Sequence, residues 1–329
     1  MKHFLILILA SAVIMLILPV AALKEFAPST DKSTNSHIIS TTENTVNDDN
    51  QQQKDDTITV FLSSQNQNVE MDMFEYICGS VAAEMPLAYH EEALKAQAVT
   101  CYTNALRLKL NTEKTNNADI SDNTAIHQGY INEAERRAKW GNDFEKYESK
   151  LKNVVNSVKN QAIYYNEQLI VAAFFAISCG KTENSGNLWS ESVPYLTSVE
   201  SQGDCLSPQY ATSVSFSLDE FVSKMKNTKA EFNINSLTNA VAITKISPTG
   251  TVLKAEINGN SYTGEEIRSI FSLRSPVFTV NSTDSAITFN VLGYGHGIGM
   301  SQYGADYFAR QGYTYKEILM HYYTGVVIK

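Results

Sequence analysis

The apolar positions along this chain change period several times, and each change marks an element. Phe4 to Leu23 is an almost unbroken apolar run behind Lys2. About twenty such residues cross the ~30 Å hydrocarbon core of a bilayer as a helix. The run exceeds the usual apolar core of a secretory signal, which favours a retained single-pass anchor. A cleaved signal with Val20-Ala21-Ala22 as its small-residue site is the alternative. Either reading puts the rest of the chain outside the cytoplasm, in keeping with the lysine that precedes the run. Residues 24–56 turn to Ser, Thr, Asn, Gln and Asp, a composition that buries no core and reads as a polar tether.

From Thr57 the pattern is that of a folded domain. Ile58, Val60 and Leu62 alternate with polar residues, the period of a half-buried strand. A helix through Met73–Val81 should stop near Glu84, because Pro86 disfavours helical geometry before it. Leu94, Ala98, Cys101, Ala105 and Leu108 lie three and four apart on one stripe of a second helix. Its first turn carries Glu91 and Glu92, where negative charge is favourable. Asn111 to Asn123 is polar and reads as an exposed loop, and the helical period returns at Phe144, Tyr147, Leu151, Val154 and Val158. Ala162–Tyr165 and Leu169–Ile177 read as strands joined at Asn166-Glu167-Gln168, the second apolar enough to be buried on both faces.

Beyond a short helix at Leu218–Lys226, Val241-Ala242-Ile243 and Leu253, Ala255 and Ile257 flank Pro248-Thr249-Gly250 as a hairpin. Thr263 and Glu266 make a capping-box pattern ahead of Ile267–Phe271. Alternating Ile287, Phe289 and Val291 lead into a glycine-rich stretch, and helical patterns at Gln302–Arg310 and Lys316–Tyr323 close the chain. There is no internal repeat and no regular βαβ alternation. The expected class is α+β: mixed helices and mainly antiparallel strands in one extracytoplasmic domain, residues 57–329, after a transmembrane helix at 1–23 and a tether at 24–56.

Charge and composition narrow the function. A net charge of −9 argues against duplex nucleic acid, which needs a basic surface. Seventeen tyrosines against two tryptophans suit a sugar or peptide groove, although tyrosine also fills cores with a polar tip. The four cysteines lack CxxC spacing and the six histidines lack HxxxH pairing, so no metal or other cofactor is implied. Cys78 and Cys101 lie on helical core stripes as buried thiols. Cys179 and Cys205 are open to three readings: free thiols, a disulfide, or metal ligands.

Glu84 is the first candidate for chemistry. It sits among small and apolar neighbours at a helix C-terminus, beside unpaired carbonyls and the negative end of the dipole. Both surroundings favour the protonated carboxyl that a general acid needs. A merely structural carboxylate ending a helix is the plain alternative. Gly295, Gly297 and Gly299 follow a strand and precede a helix, yet they lack the ending of a nucleotide P-loop and the spacing of a dinucleotide fingerprint. They let backbone approach a ligand or pack closely, with His296 presented between them or serving as a structural histidine in a tight turn.

Three stretches then resemble the stage II sporulation protein D family. Ala82-Ala83-Glu84-Met85-Pro86 with Glu92-Ala93-Leu94-Lys95-Ala96-Gln97-Ala98-Val99 is similar to its opening signature. Thr182 with Pro194-Tyr195-Leu196 and Ser198-Val199 resembles its second, and Gly295 through Ala305 its third. The resemblance covers Thr57 to the C-terminus, with the motifs in order. It implies a peptidoglycan lytic transglycosylase, without a cofactor, that cuts between N-acetylmuramic acid and N-acetylglucosamine in strands stripped of stem peptides. Its context is engulfment during sporulation, in the mother-cell membrane and beside two partners, the amidase stage II sporulation protein P and stage II sporulation protein M. Glu84 would be the single acid and base, because the muramic acid C6 hydroxyl attacks its own anomeric carbon. The resemblance carries over Tyr195, to contact sugar or orient the acid, and Asp204, to support the transition state or hold a loop. His296 and Gln302 follow as sugar-binding or supporting groups. The chain departs from the family at Thr197, where a basic residue is common, and at Cys179, near which serine or glycine is usual. The rival reading is a non-catalytic glycan-binding module that activates a partner amidase, as the amidase enhancers of the same family imply. A serine or cysteine peptidase finds no triad motif here.

Overall fold

The computed structural model describes residues 57–114 and 116–329, so the expected anchor and tether lie outside the described residues. Among those described, no helix is long and apolar enough to cross a membrane. The chain divides into two units, one holding residues 57–84 and 105–156, the other residues 85–104 and 157–329.

In the first unit, β1 (Thr57–Leu62) and β2 (Gln67–Asp72) pair antiparallel, with Ile58 and Val60 buried as their alternation requires. Helix α1 (Met73–Glu84) follows directly and ends at Glu84, two residues before Pro86. Helix α2 (Glu91–Leu110) passes from the second unit into the first at residue 105. The polar run 111–123 is not wholly loop. Its Ile120–Ser121 forms β3, parallel to β1, because two of its polar side chains bond to strand backbone instead of water. Asp119 accepts from the Thr59 N–H at 2.9 Å and Asp122 from the Ser63 N–H at 2.8 Å.

Helix α3 (Glu133–Trp140) has no apolar stripe to announce it. It rests on a capping box in which Asn132 and Glu135 each bond the other's backbone N–H. Its buried residue is Arg136, 1 % exposed. The Arg136 Nε and Nη2 donate to the two carboxylate oxygens of Glu148 at 2.9 and 2.8 Å, and Nη1 donates to the Ile131 carbonyl at 3.2 Å. Glu148 lies on α4 (Phe144–Ser157), whose apolar face buries Phe144, Leu151, Val154 and Val155.

In the second unit, β4 (Ile163–Tyr165) and β5 (Gln168–Leu169) form a tight hairpin through Asn166 and Glu167, both at positive φ. The expected strand Leu169–Ile177 is not one strand. It is buried at Ile170, Ala172, Phe175 and Ile177 as anticipated, yet it pairs in pieces: at β5, at β6 (Phe174–Phe175) and through a single bridge from Ile177 to Tyr294. Between them side chains take the ladder's place. Val171 N–H donates to the Tyr195 hydroxyl at 2.9 Å. Asn104 bonds both the N–H and the carbonyl of Ala172, at 3.0 and 2.9 Å, and the Tyr323 hydroxyl donates to the Ala173 carbonyl at 2.8 Å.

Past the short helix α5 (Ser185–Leu188), β7 (Ala211–Ser217) enters the sheet β11-β12-β7, completed by β11 (Phe278–Ser282) and β12 (Ala286–Leu292). A second meander joins β8 (Val241–Ile246), β9 (Val252–Ile257) and β10 (Asn260–Tyr262). Helices α6 (Leu218–Lys226) and α7 (Gly264–Phe271) each start on a capping box and help close a core rich in phenylalanine. At its centre the Phe271 ring stacks on Phe221 and Phe289, with centroids 4.9 and 5.0 Å away. The chain ends with β13 (Met300–Ser301), α8 (Gln302–Arg310), α9 (Tyr315–Tyr322) and β14 (Val327–Ile328). Pairing is antiparallel except at β1–β3 and β6–β13, so the described residues form an α+β fold.

Removing one partner of a buried ion pair leaves the other uncompensated, at a cost of about 3–5 kcal/mol. Among the described residues, Glu148→Ala leaves Arg136 only the partly exposed Glu75, 3.7 Å away, as a carboxylate partner, and is therefore expected to lower the unfolding free energy by about 3 kcal/mol in urea titrations. A loss below about 1 kcal/mol would mean that the Arg136–Glu148 pair does not anchor α3.

Candidate functional site

Glu84 arrives as the last residue of α1, half-buried. Its Oε1 accepts the Gly129 N–H at 2.5 Å. One carbonyl at this helix end, that of Ala82, accepts a hydrogen bond from the Lys139 ammonium at 2.7 Å. Burial raises the Glu84 carboxyl above its ordinary value, while the Gly129 N–H and the charge of Lys139 oppose the rise without cancelling it. Lys139 is lowered in turn by its own burial, against the pull of Glu84. The unit thus presents a carboxyl that keeps its proton to higher pH than a free glutamate, with a single hydrogen bond from this unit on one oxygen.

The other four residues singled out in the sequence belong to the second unit, and three of them meet the stretch 171–178 directly or through one neighbour. Tyr195 is buried, and its hydroxyl accepts from Val171. The His296 Nδ1 accepts the Ile298 N–H at 3.1 Å, so its Nε2 carries the proton and donates to the Phe174 carbonyl at 3.0 Å. Burial, helped by the charge of Arg268, lowers His296 to about 4, and the ring is neutral at pH 7. Asp204 is fully buried. Its Oδ2 accepts from Ser178 at 2.5 Å and Ser201 at 2.7 Å, and its Oδ1 from Ser301 at 2.8 Å. Burial raises the Asp204 carboxyl, and these three hydroxyls pull it back part of the way. Gln302 stands apart, donating to Gln97 of α2 at 3.3 Å.

The glycine-rich stretch packs closely on the apolar run 169–177. Gly293, Gly295, Gly297 and Gly299 all have positive φ. A Cβ at Gly299 would lie 2.0 Å from the Ala173 carbonyl oxygen, and one at Gly295 would lie 2.6 Å from the Phe175 Cβ. Their bareness lets the backbone close onto residues 173–175.

These features sit within a recognisable kinship. A sequence profile described as stage II sporulation protein matches residues 63–165, the segment holding Glu84, Gly129 and Lys139. The chain is 35% identical over 274 residues to stage II sporulation protein D of Bacillus amyloliquefaciens, an alignment covering 83% of this chain and 78% of that protein. It belongs to the stage II sporulation protein D family. Stage II sporulation protein D of Bacillus subtilis strain 168 is 36% identical over 266 residues, 80% of this chain and 76% of that protein. An amidase enhancer of Bacillus subtilis strain 168 is 29% identical over 301 residues, 76% of this chain and 40% of that protein. Kinship with the D proteins places this chain among sporulation proteins.

One carboxylate of this family member escaped the sequence reading. Glu183 is buried, with Ser247 (2.6 Å) and Thr249 donating to Oε2 and with Asn187 (2.8 Å) and the Asn184 N–H (2.8 Å) donating to Oε1. Its own N–H donates to the Gly297 carbonyl at 2.7 Å. The signal was present as alternating hydroxyls, Ser247, Thr249 and Thr251, in the β8–β9 turn, with an unpaired acid in the polar run after the buried stretch. Glu183 and His296 line the same small cleft as Cys179 and Lys181. All four cysteines are free thiols; Cys179 donates to the Thr249 carbonyl at 3.1 Å and its thiol is pushed up by burial. Among the described residues no group of three or more His, Cys, Asp or Glu could hold a metal ion.

Burial pushes the Glu183 carboxyl up, but the bonds from Ser247, Thr249, Thr251 and Asn187 outweigh it and leave it below its ordinary 4.5. A depressed folded value means stability that is complete above the unfolded value and lost as pH falls through the folded one. Wild type should therefore lose stability more steeply than Glu183→Gln as pH falls from about 5 to about 3, measured by urea titration at each pH. Parallel curves would show that the carboxylate is not held in its charged form.

Proposed function

We propose that this chain is a peptidoglycan lytic transglycosylase. It cleaves the bond between N-acetylmuramic acid and N-acetylglucosamine, preferentially in strands without stem peptides, and leaves 1,6-anhydro-muramic ends during engulfment. The observation that carries this reading is the protonation-favouring setting of Glu84. Hydrolytic glycosidases use two carboxyl groups, the second to activate water or to attack the sugar. Here the muramic acid C6 hydroxyl takes that part. Glu84 gives its proton to the glycosidic oxygen, and the bond from that oxygen to the anomeric carbon breaks. The C6 oxygen bonds to the same carbon, and its proton returns to Glu84. Atoms and charge balance, and no second carboxylate enters.

In this reading Tyr195, Asp204, His296 and Gln302 shape the sugar-binding frame. A neutral His296 offers no imidazolium to act as the acid near pH 7. Residues 1–23 anchor the protein in the mother-cell membrane, 24–56 tether it, and 57–329 work in the space between the membranes, beside stage II sporulation proteins P and M. The amidase-enhancer relative favours one other reading, a glycan-binding module that stimulates a partner amidase without cutting.

The purified full-length protein in detergent should release anhydro-muramic ends from denuded glycan strands, detected by mass spectrometry. General acid catalysis is typically worth ~10²–10⁴-fold, so Glu84→Gln should slow cleavage by at least about a hundredfold while still sedimenting with the strands. Strand binding by wild type without any anhydro ends would leave only the module.

The pH profile offers a separate check. Activity needs protonated Glu84, so it should fall as pH rises through a value above the ordinary glutamate range. A limb that instead follows His296 would reassign the acid.

A further inference from the structure

Residues 128–131 run along α1 as a strap, and each end is fastened. The Gln128 side chain donates to the Tyr76 hydroxyl at 3.2 Å, and the Tyr130 ring stacks on that of Tyr76 with centroids 5.6 Å apart. Tyr130 fits where Gly79 lacks a side chain: a Cβ there would stand 2.3 Å from the ring. Ile131 donates its N–H to the Gly79 carbonyl at 3.3 Å and accepts Arg136 at its own carbonyl. Arg136 is itself held by Glu148 through two hydrogen bonds. A buried ion pair therefore fixes a segment whose middle residue, Gly129, meets the end of α1.

That meeting is tight. A Cβ on Gly129 would lie 3.0 Å from the Glu84 Oε1, 3.2 Å from the Ala83 Cβ and 3.4 Å from the Thr124 Cγ2. The glycine is bare so that its N–H can approach the carboxyl. A protonated carboxyl has one O–H and one carbonyl oxygen, and the carbonyl oxygen is the better acceptor for a facing N–H. A proton on Oε1 would crowd the Gly129 hydrogen.

We propose that Gly129 is a positioning residue for Glu84: its N–H pins Oε1 as the acceptor, so Oε2 is the oxygen that carries the proton and hands it over. This rests on the reading of Glu84 as the acid. It assigns the two oxygens different duties: Oε1 fixes the plane of the carboxyl, and Oε2 does the exchange with the glycosidic oxygen and then with the C6 hydroxyl. The charged side chain acting on this carboxyl within its unit is Lys139 of α3, the helix whose Arg136 holds the strap. The strap's anchor and the counter-charge thus come from one element.

The first test needs no substitution. In the full-length protein labelled with ¹⁵N-glycine and ¹³C-glutamate, the Gly129 amide proton should titrate with the midpoint of the Glu84 carboxyl carbon. A Gly129 amide that ignores this titration would overturn the proposal. Gly129→Ala should then cut the turnover of denuded strands by ~10-fold or more, since small misplacements of a reacting group are costly. Strand affinity should stay within about twofold, and the alkaline limb should move upward, because the lost hydrogen bond favoured the charged form. A folded Gly129→Ala protein with wild-type turnover and an unmoved limb would also overturn it. Should that variant fail to fold, the amide titration decides alone. Undiminished cleavage by Glu84→Gln would instead sink the acid reading, whereas a dead Glu84→Gln beside an unaffected Gly129→Ala would sink only the positioning role.

Discussion

Asp204 has no contact with water, and the second unit is organised by what replaces that water. A lone carboxylate moved into the interior costs several kcal/mol unless hydrogen bonds take over from its hydration shell. Here three serine hydroxyls do so, from three separate stretches: Ser178 at the end of the apolar run, Ser201 before the turn at Gln202–Leu206, and Ser301 at the cap of α8. Ser201 also bonds the Tyr322 hydroxyl at 2.6 Å and so reaches α9. The packing around this point leaves no slack. A Cβ at Gly304 would lie 2.1 Å from the Tyr322 oxygen, and one at Gly203 would lie 2.1 Å from the Tyr307 ring. Three chain segments thus meet at one buried carboxyl group.

The protein handles its buried acids in two ways. Glu183 receives donors on both oxygens and is held charged, a structural tie between the β8–β9 turn and the glycine-rich stretch. Glu84 receives one backbone N–H within its unit, and burial prevails. Asp204 also has donors on both oxygens, yet burial prevails there too, so depth and donors decide together. At a given depth, each donor removed leaves a carboxyl readier to keep its proton.

That contrast also explains which parts were legible in the sequence. The end of α1 was legible because proline acts locally, and α4 and α7 because their apolar spacing or capping residues are contiguous. Glu84 stood out for the same local reason. Helix α3 was missed because its one buried side chain is an arginine, which hydrophobic periodicity does not count. The serines around Asp204 are scattered over more than a hundred residues, with nothing in their spacing to join them. Gly129 was invisible for a deeper reason: it contributes a backbone N–H, and the sequence shows only that a side chain is absent.

The stretch Leu169–Ile177 has one further property. Its Leu-Ile-Val-Ala-Ala-Phe-Phe-Ala-Ile is uncharged, apolar and rich in strand-forming residues. Such windows stack into cross-β fibrils when their backbone edges are open. Here Asn104, Tyr195 and Tyr323 occupy edge positions with side chains, and a side chain cannot template another strand. The native fold thus covers a segment of fibril-prone composition with three polar side chains. Any change that loosens those contacts is expected to lower solubility.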